Sequence, residues 1–325
     1  MSSATPHDYL VTTVPQHPSE GTRRQRPSVA LARASRALAD AGIASARAEA
    51  EQLAAYVLGV PRGRLALADD LTADQLDRFD ELVARRAGRE PLQHLTGSAG
   101  FRHLELAVGP GVFVPRPETE LLAGWGIAQG RRLGAGLVVD LCSGSGAIAL
   151  SVAQELPAAR VVAVERSTAA LPWLRRNAAA RAAAGDRPIE VVAADVTAAD
   201  LLADLVGRVD VLLCNPPYVP SDVAVPPEVG RHDPASAVFG GADGLAVIRP
   251  VIARAAALLR PGGVLGVEHD DTHGTAVPDL LAADGRFEAV AGHPDLTGRP
   301  RFATASRRAD GQHAAAGATW QTDSS

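Results

Sequence analysis

Two short segments concentrate residues able to do chemistry. Asp140-Leu-Cys-Ser-Gly-Ser-Gly146 follows one apolar run and precedes an apolar, Ala-containing stretch; Asn215-Pro-Pro-Tyr218 follows another apolar run. Gly144 and Gly146 permit a tight turn and let a ligand approach the main chain, beside the free N–H groups of a helix N-terminus. Glu165 stands 25 residues after Asp140, at the end of the next apolar run, where a carboxylate accepts hydrogen bonds from two ribose hydroxyls. The spacing serves two cofactors equally well. Gly144-Ser-Gly146-Ala-Ile-Ala149 also satisfies the dinucleotide fingerprint, with an acid about 20 residues on. The loop therefore indicates a nucleoside-containing cofactor and leaves S-adenosylmethionine and NAD open.

The tetrapeptide separates them. Its two prolines fix the backbone and remove two N–H donors, so the carbonyls form a rigid array. The Asn215 side-chain oxygen and the Pro216 main-chain oxygen can each accept one hydrogen of a planar NH₂ group, while Tyr218 offers it a flat face. An amide or aryl nitrogen is a poor nucleophile because its lone pair is delocalised. Holding both hydrogens and aligning the nitrogen on a methyl carbon replaces a strong base with positioning and electrostatics. A plain proline-rich turn is the alternative, disfavoured by its place after a strand downstream of a glycine loop.

The elements that must position these residues are legible in part. From Gly136 onward, apolar runs at 137–141, 160–164, 189–195, 209–214 and 264–269 alternate with Ala/Leu-rich helical stretches. Near-continuous apolar strands separated by helices predict an α/β fold with a parallel sheet covered on both faces. Residues 101–114 alternate around Gly109-Pro-Gly111 and predict a β-hairpin there. Residues 28–90 are helical in pattern. Thr72-Ala-Asp-Gln75 has capping-box form, followed by Leu76, Phe79 and Val83, and Leu53, Val57 and Leu58 precede a stop at Gly59 and Pro61. Residues 1–27 and 309–325 lack apolar periodicity and read as disordered tails.

With these motifs placed, the chain resembles class I S-adenosylmethionine methyltransferases that modify planar nitrogens. Further motifs narrow the resemblance: Arg89-Glu-Pro-Leu-Gln-His-Leu-Thr-Gly97, Phe113-Val-Pro-Arg-Pro-Glu-Thr-Glu120, Gly240-Gly-Ala-Asp-Gly-Leu245 and Asp295-Leu-Thr-Gly-Arg-Pro-Arg-Phe302. Over residues 28–306 the chain is similar to the protein-(glutamine-N5) methyltransferases that act on peptide-chain release factors, the HemK-type family. The resemblance implies a helical substrate-recognition domain at 28–95, a hairpin linker at 96–115 and a Rossmann-like methyltransferase domain at 116–308, with a mostly parallel seven-stranded sheet. It implies S-adenosyl-L-methionine as cofactor. Asp140 and Cys142, Ser143, Gly144, Ser145 and Gly146 would serve its methionine end, Glu165 its ribose, Asp195 and Val196 its adenine. Asn215, Pro216, Pro217 and Tyr218 would hold the substrate glutamine, with Asn215 also facing the cofactor and Phe113 and Glu118 at the substrate entrance. The family often has Asp where Glu165 stands, and an aromatic where Val196 stands.

Composition excludes several classes. No apolar run approaches the roughly 20 residues of a membrane span, and a cytoplasmic monomer acting on a protein is the expectation. All 32 basic residues are Arg, net charge is −5, and residues 28–90 hold nine Arg against ten acids. That balance disfavours an adenine-N6 methyltransferase of nucleic acid, which can share the tetrapeptide but needs a basic target-recognition surface. A ribosomal-protein glutamine methyltransferase is the nearer rival. Two cysteines, Cys142 and Cys214, are too few for a disulfide framework and suit a reducing compartment as small apolar linings. His269 and His273 stand four apart around two aspartates; a loop there predicts a polar rim near the cofactor, with no metal. Glu118 and Glu120 either line the entrance or favour a helix N-terminus.

Overall fold

Thr72 opens the best-defined helix of the first half. The Gln75 amide donates to Thr72 Oγ1 at 3.3 Å and the Thr72 amide to Gln75 Oε1 at 3.0 Å, satisfying two of the helix's free donors. The computed structural model describes residues 24–309, which divide between Gly88 and Arg89 into two units. The first contains helices α1 (Pro27–Asp40), α2 (Ala46–Leu58) and α3 (Ala73–Ala87). Their apolar faces bury Leu38, Leu53, Leu76 and Phe79 completely, each stabilising the unit by roughly 1.5–3 kcal/mol. Gly59 ends α2 in the left-handed conformation at φ 65°. Most of the expected tails lies outside the described residues. At their inner edge the expectation needs correcting: Gln25 exchanges two main-chain hydrogen bonds with Leu71, and Pro27 already starts α1.

The second unit starts at Arg89 and so includes α4 (Leu92–Thr96). The hairpin differs from expectation. Strands β1 (Ser98–Phe101) and β2 (Leu104–Ala107) turn at Arg102-His103, while Gly109-Pro-Gly111 forms the loop after it. Arg102 accepts the strained turn at φ 52° because its guanidinium bonds both Glu155 carboxylate oxygens and its amide donates to Glu120 Oε1 at 3.1 Å.

Seven strands make the main sheet: β3 (Leu137–Leu141), β4 (Arg160–Glu165), β5 (Glu190–Ala193), β6 (Val209–Cys214), β7 (Leu259–Glu268), β8 (Phe287–Pro294) and β9 (Pro300–Arg307). Their order is β5-β4-β3-β6-β7-β9-β8, parallel through β7 and antiparallel at β9 and β8. The helices are α5 (Thr119–Leu133), α6 (Ala147–Glu155), α7 (Leu171–Ala183), α8 (Pro227–His232), α9 (Ala235–Val238), α10 (Ile248–Leu258) and α11 (Ala276–Ala283). Successive strand residues feed opposite cores: Val138, Val211 and Leu213 join one, Val139, Leu212 and Leu265 the other. That is why the strands read as unbroken apolar runs.

One consequence of this order positions the site. From β3 the chain winds outward to β4 and β5, then returns to β6 on the other side of β3. Ligands bind at the carboxyl ends of such a reversal. Leu141 and Cys214 are paired across it, so the glycine loop and the tetrapeptide leave the sheet side by side.

Candidate active site

The glycine loop is held by main-chain and carboxylate contacts. Cys142 (φ 60°), Gly144 (φ 55°) and Gly146 (φ 89°) are all left-handed. At Gly146 any side chain meets both backbone strain and crowding, since a Cβ would lie 2.6 Å from Leu174 Cδ1. Glu165 grips the loop, accepting the Gly144 amide at 2.8 Å on one oxygen and the Ser167 amide at 2.7 Å on the other. Asn177 on α7 donates to Ser145 O at 2.9 Å and also accepts from and donates to Ala107, tying the loop to β2. Behind the loop Asp140 is buried, with Oδ2 accepting the Ala149 amide at 3.2 Å and Oδ1 unpartnered. Burial pushes Asp140 up to about 7.

In front of the loop lies a cavity lined by Cys142, Ser143, Gly144 and Ser145, by Glu165, and by Asp195-Val196-Thr197 after β5. The Thr197 amide and hydroxyl, with Arg166, hold the Asp195 carboxyl down to about 2, so it is ionised at any working pH. A carboxylate at the end of β4, an apolar wall and an approachable backbone at a helix N-terminus form a donor set suited to a nucleoside with a short charged chain. S-adenosylmethionine fits that description.

A second cavity, lined by Pro216, Tyr218, Arg116 and Val229, adjoins the first. Asn215, Phe113 and Ala237 line both, so the two meet at the tetrapeptide. Asn215 Nδ2 donates to Thr119 Oγ1 at 3.0 Å, leaving its amide oxygen as the atom available to a ligand. The Tyr218 hydroxyl donates to Glu268 Oε1 at 3.0 Å, and burial beside that carboxylate raises the phenol above its ordinary range. The Gly240–Leu245 motif braces the tetrapeptide from behind. Gly244 sits at φ 71°, where a Cβ would lie 2.3 Å from Tyr218 O, and a Cβ on Gly240 would lie 2.6 Å from Pro217 O. Arg116 lies 4.9 Å over the Phe113 ring and pairs with Asp233 at 2.6 Å. Burial raises Asp233, against the pull of Arg116.

The structure thus gathers Cys142, Ser143, Gly144, Ser145, Glu165, Asp195, Val196, Asn215 and Pro217 on the first cavity, and Asn215, Pro216 and Tyr218 on the second. Asp140 and Gly146 stand behind the loop and line neither, as does Glu118, which is exposed. The helix's next residue, Thr119, is the one that reaches in. Glu120 serves the hairpin turn. Cys142 lines the first cavity while Cys214 is buried in the sheet core beside it. His269 and His273 are buried rather than on a rim; His269 Nδ1 lies 2.8 Å from Asp270 O, and His273 packs where a Gly244 Cβ would fall. Among the described residues no cluster of three or more His, Cys, Asp or Glu is placed to hold a metal ion, and no helix is long and apolar enough to cross a membrane. Sequence reasoning missed Thr119, Asn177, Glu268 and the Arg116–Asp233 pair. Thr119 and Arg116 lie inside a motif already singled out, but Asn177, Glu268 and Asp233 act through contacts far apart in sequence.

Residues 29–97 match the sequence model of the PrmC N-terminal domain, and residues 128–229 that of the methyltransferase small domain. The chain is 53% identical over 282 residues to a release factor glutamine methyltransferase of Mycolicibacterium smegmatis, covering 87% of this chain and 98% of that one. It is 50% identical over 284 residues to a protein of the same description from Streptomyces coelicolor, covering 85% and 96%. It is also 40% identical over 273 residues to the 4-amino-L-phenylalanine/4-methylamino-L-phenylalanine methyltransferase of Streptomyces pristinaespiralis, covering 82% and 90%.

Proposed function

The chain belongs to the family of release factor glutamine methyltransferases, and from that premise we propose that it methylates the side-chain amide nitrogen of the glutamine in the Gly-Gly-Gln motif of peptide-chain release factors. S-adenosyl-L-methionine, bound in the first cavity, supplies an electrophilic methyl group on a sulfonium centre. Glu165 takes the ribose hydroxyls, Asp195 and Val196 border the adenine, and the loop from Cys142 to Ser145 faces the methionine end. Asp140 and Gly146 shape that loop from behind rather than touching the ligand.

One observation carries the reading. Asn215 stands where the two cavities meet, its Nδ2 committed to Thr119 and its oxygen free to accept. Asn215 Oδ1 and Pro216 O each accept one hydrogen of the substrate NH₂, and Tyr218 covers the flat face of the amide. Both acceptors draw electron density toward the nitrogen and turn its lone pair at the methyl carbon. With the S–CH₃ bond broken the methyl donor would leave as a neutral thioether, and the methylated nitrogen releases one proton to solvent after the transfer, so the product remains a neutral amide. Phe113, on the wall of both cavities, keeps water from the transfer.

An adenine, a ribosomal-protein glutamine and a free arylamine such as 4-amino-L-phenylalanine present the same NH₂ geometry. The balanced charge of residues 28–90 favours a protein among these. The test is incubation with labelled S-adenosylmethionine and purified release factor, ribosomal proteins, DNA or 4-amino-L-phenylalanine. Label in release factor alone is the expected result. Preferential label in any of the others overturns the assignment.

A further inference from the structure

Asn177 lies on the buried face of α7 and is 3% exposed. A buried amide is costly unless its hydrogens and its oxygen are used, and an apolar residue would pack the helix as well. Asn177 spends them on three main-chain groups from two different segments. Its Oδ1 accepts the Ala107 amide at 2.8 Å, and Nδ2 donates to Ala107 O at 3.0 Å and to Ser145 O at 2.9 Å. Turning the amide over would set donor against donor and acceptor against acceptor, so its orientation is fixed.

Both segments wall the first cavity. Ser145 belongs to the glycine loop, while Ala107 ends β2 and leads into residues 108–114, from which Gly111 and Phe113 line the cavity. Helix α7 meets both. Leu174, three residues before Asn177, is the side chain that a Cβ on Gly146 would strike. Trp173 donates Nε1 to Pro110 O at 3.3 Å, and its ring leaves no room on Gly109, where a Cβ would lie 2.6 Å from Cζ2. Val108, Val112 and Val114 form a buried cluster with Ala170, and Trp173 packs against it. The segment carrying Phe113 is therefore seated on the helix that also holds the glycine loop.

Resting on the amide-methylation reading above, we infer that Asn177 is a positioning residue: its side-chain amide holds the glycine loop and the Phe113 segment at one fixed spacing, so that the methyl group and the substrate nitrogen meet in line.

The glycine loop sets where the methyl donor lies, and Phe113, on the wall of both cavities, bounds where the amide lies. A displacement of about 1 Å between reacting groups costs roughly 100-fold in rate. Apolar contacts tolerate sliding, whereas three directed hydrogen bonds from one short side chain do not. With Asn177 gone, each segment keeps its own fold but the two can shift against each other. Saturating either ligand does not restore the spacing, because each ligand fills its own side of the site.

The test measures kcat on release factor at saturating release factor and cofactor, with cofactor affinity by calorimetry, at a temperature where every variant is folded by circular dichroism. Asn177→Ala is expected to lower kcat about 10- to 100-fold and to weaken cofactor affinity about three- to ten-fold. Leu281→Ala, a cavity in the core of α11, destabilises the fold without touching either segment and is expected to keep kcat within two-fold of wild type. In a double-mutant cycle, Asn177→Ala with Phe113→Ala is expected to be no slower than the slower single variant, since both act through the same segment. Should Asn177→Ala fail to fold, Trp173→Ala, which removes a half-buried ring and leaves the Asn177 bonds in place, enters the same cycle with an expected loss of about ten-fold. A kcat for Asn177→Ala within three-fold of wild type, an equal loss in Leu281→Ala, or additive losses with Phe113→Ala overturns the inference. A wild-type protein that labels another acceptor and not release factor overturns the substrate reading instead, and the same cycle run on that acceptor still decides the role of Asn177.

Discussion

Asp140 and Glu268 are two buried carboxylates at the carboxyl edge of one sheet, and they support different walls. Both are 1% exposed, both are pushed up to about 7 by burial, and each keeps one oxygen without a partner. They differ in what they hold. Asp140 accepts a main-chain amide at the start of α6 and so supports the backbone of the glycine loop. Glu268 accepts a side-chain hydroxyl from the tetrapeptide. The cofactor wall is thus fixed through main chain, and the substrate wall through side chains that touch the reacting group. Damage to the first should appear in cofactor affinity, and damage to the second in turnover.

The largest expected effect tests the substrate wall. Asn215→Ala removes one of the two acceptors for the amide, and kcat is expected to fall about 10²- to 10³-fold while cofactor affinity by calorimetry changes less than about three-fold. Equal losses in both would dissolve the distinction between the walls.

Next comes the stability attached to the buried acids. Glu268 ionises near 4.5 in the unfolded chain and near 7 in the folded one, so between those values the folded state binds more protons. Its contribution therefore falls as pH rises from about 4.5 to about 7 and stays low above. Glu268→Gln has no such group and should gain stability relative to wild type over that window, by on the order of 3 kcal/mol in denaturant titrations. A difference independent of pH would show that the acid is not strained by burial.

A smaller effect belongs to the cofactor wall. Glu165→Ala loses the ribose acceptor and frees the Gly144 and Ser167 amides. Affinity for S-adenosylmethionine should weaken about 10- to 100-fold, with kcat at saturation changed far less. The smallest concerns Asp140→Asn. The amide oxygen can still accept from Ala149, so affinity should fall about three- to ten-fold without a turnover defect. A collapse of kcat with affinity intact would place Asp140 on the substrate wall and break the comparison.

The same difference explains what the sequence revealed. The cofactor wall is local: Asp140 to Gly146 is one loop, its glycines are demanded by left-handed backbone, and Glu165 ends the next strand. Such features survive as a readable motif. Asn215–Tyr218 was legible for the same reason, being contiguous and conformationally unusual. Glu268 was not, because an acid at the end of an apolar strand gives no sign of facing Tyr218 50 residues earlier. Asn177 is hidden likewise, bonding Ala107 70 residues away. The hairpin was misplaced because Gly109-Pro-Gly111 has the stronger local turn signal, whereas Arg102 is held in its turn by Glu120 and Glu155 on two helices. At the start of α5 the expectation falls on Glu118, yet the side chain that reaches the cavity is that of Thr119.

The central claim is that this site places a methyl group on a glutamine side-chain nitrogen. Tandem mass spectrometry of release factor after incubation with the protein and methyl-labelled S-adenosylmethionine tests it directly. The account predicts one labelled methyl on the side-chain amide nitrogen of the Gly-Gly-Gln glutamine, lost with Asn215→Ala. Label on any other residue, or an unlabelled glutamine while the protein binds the cofactor, would contradict it.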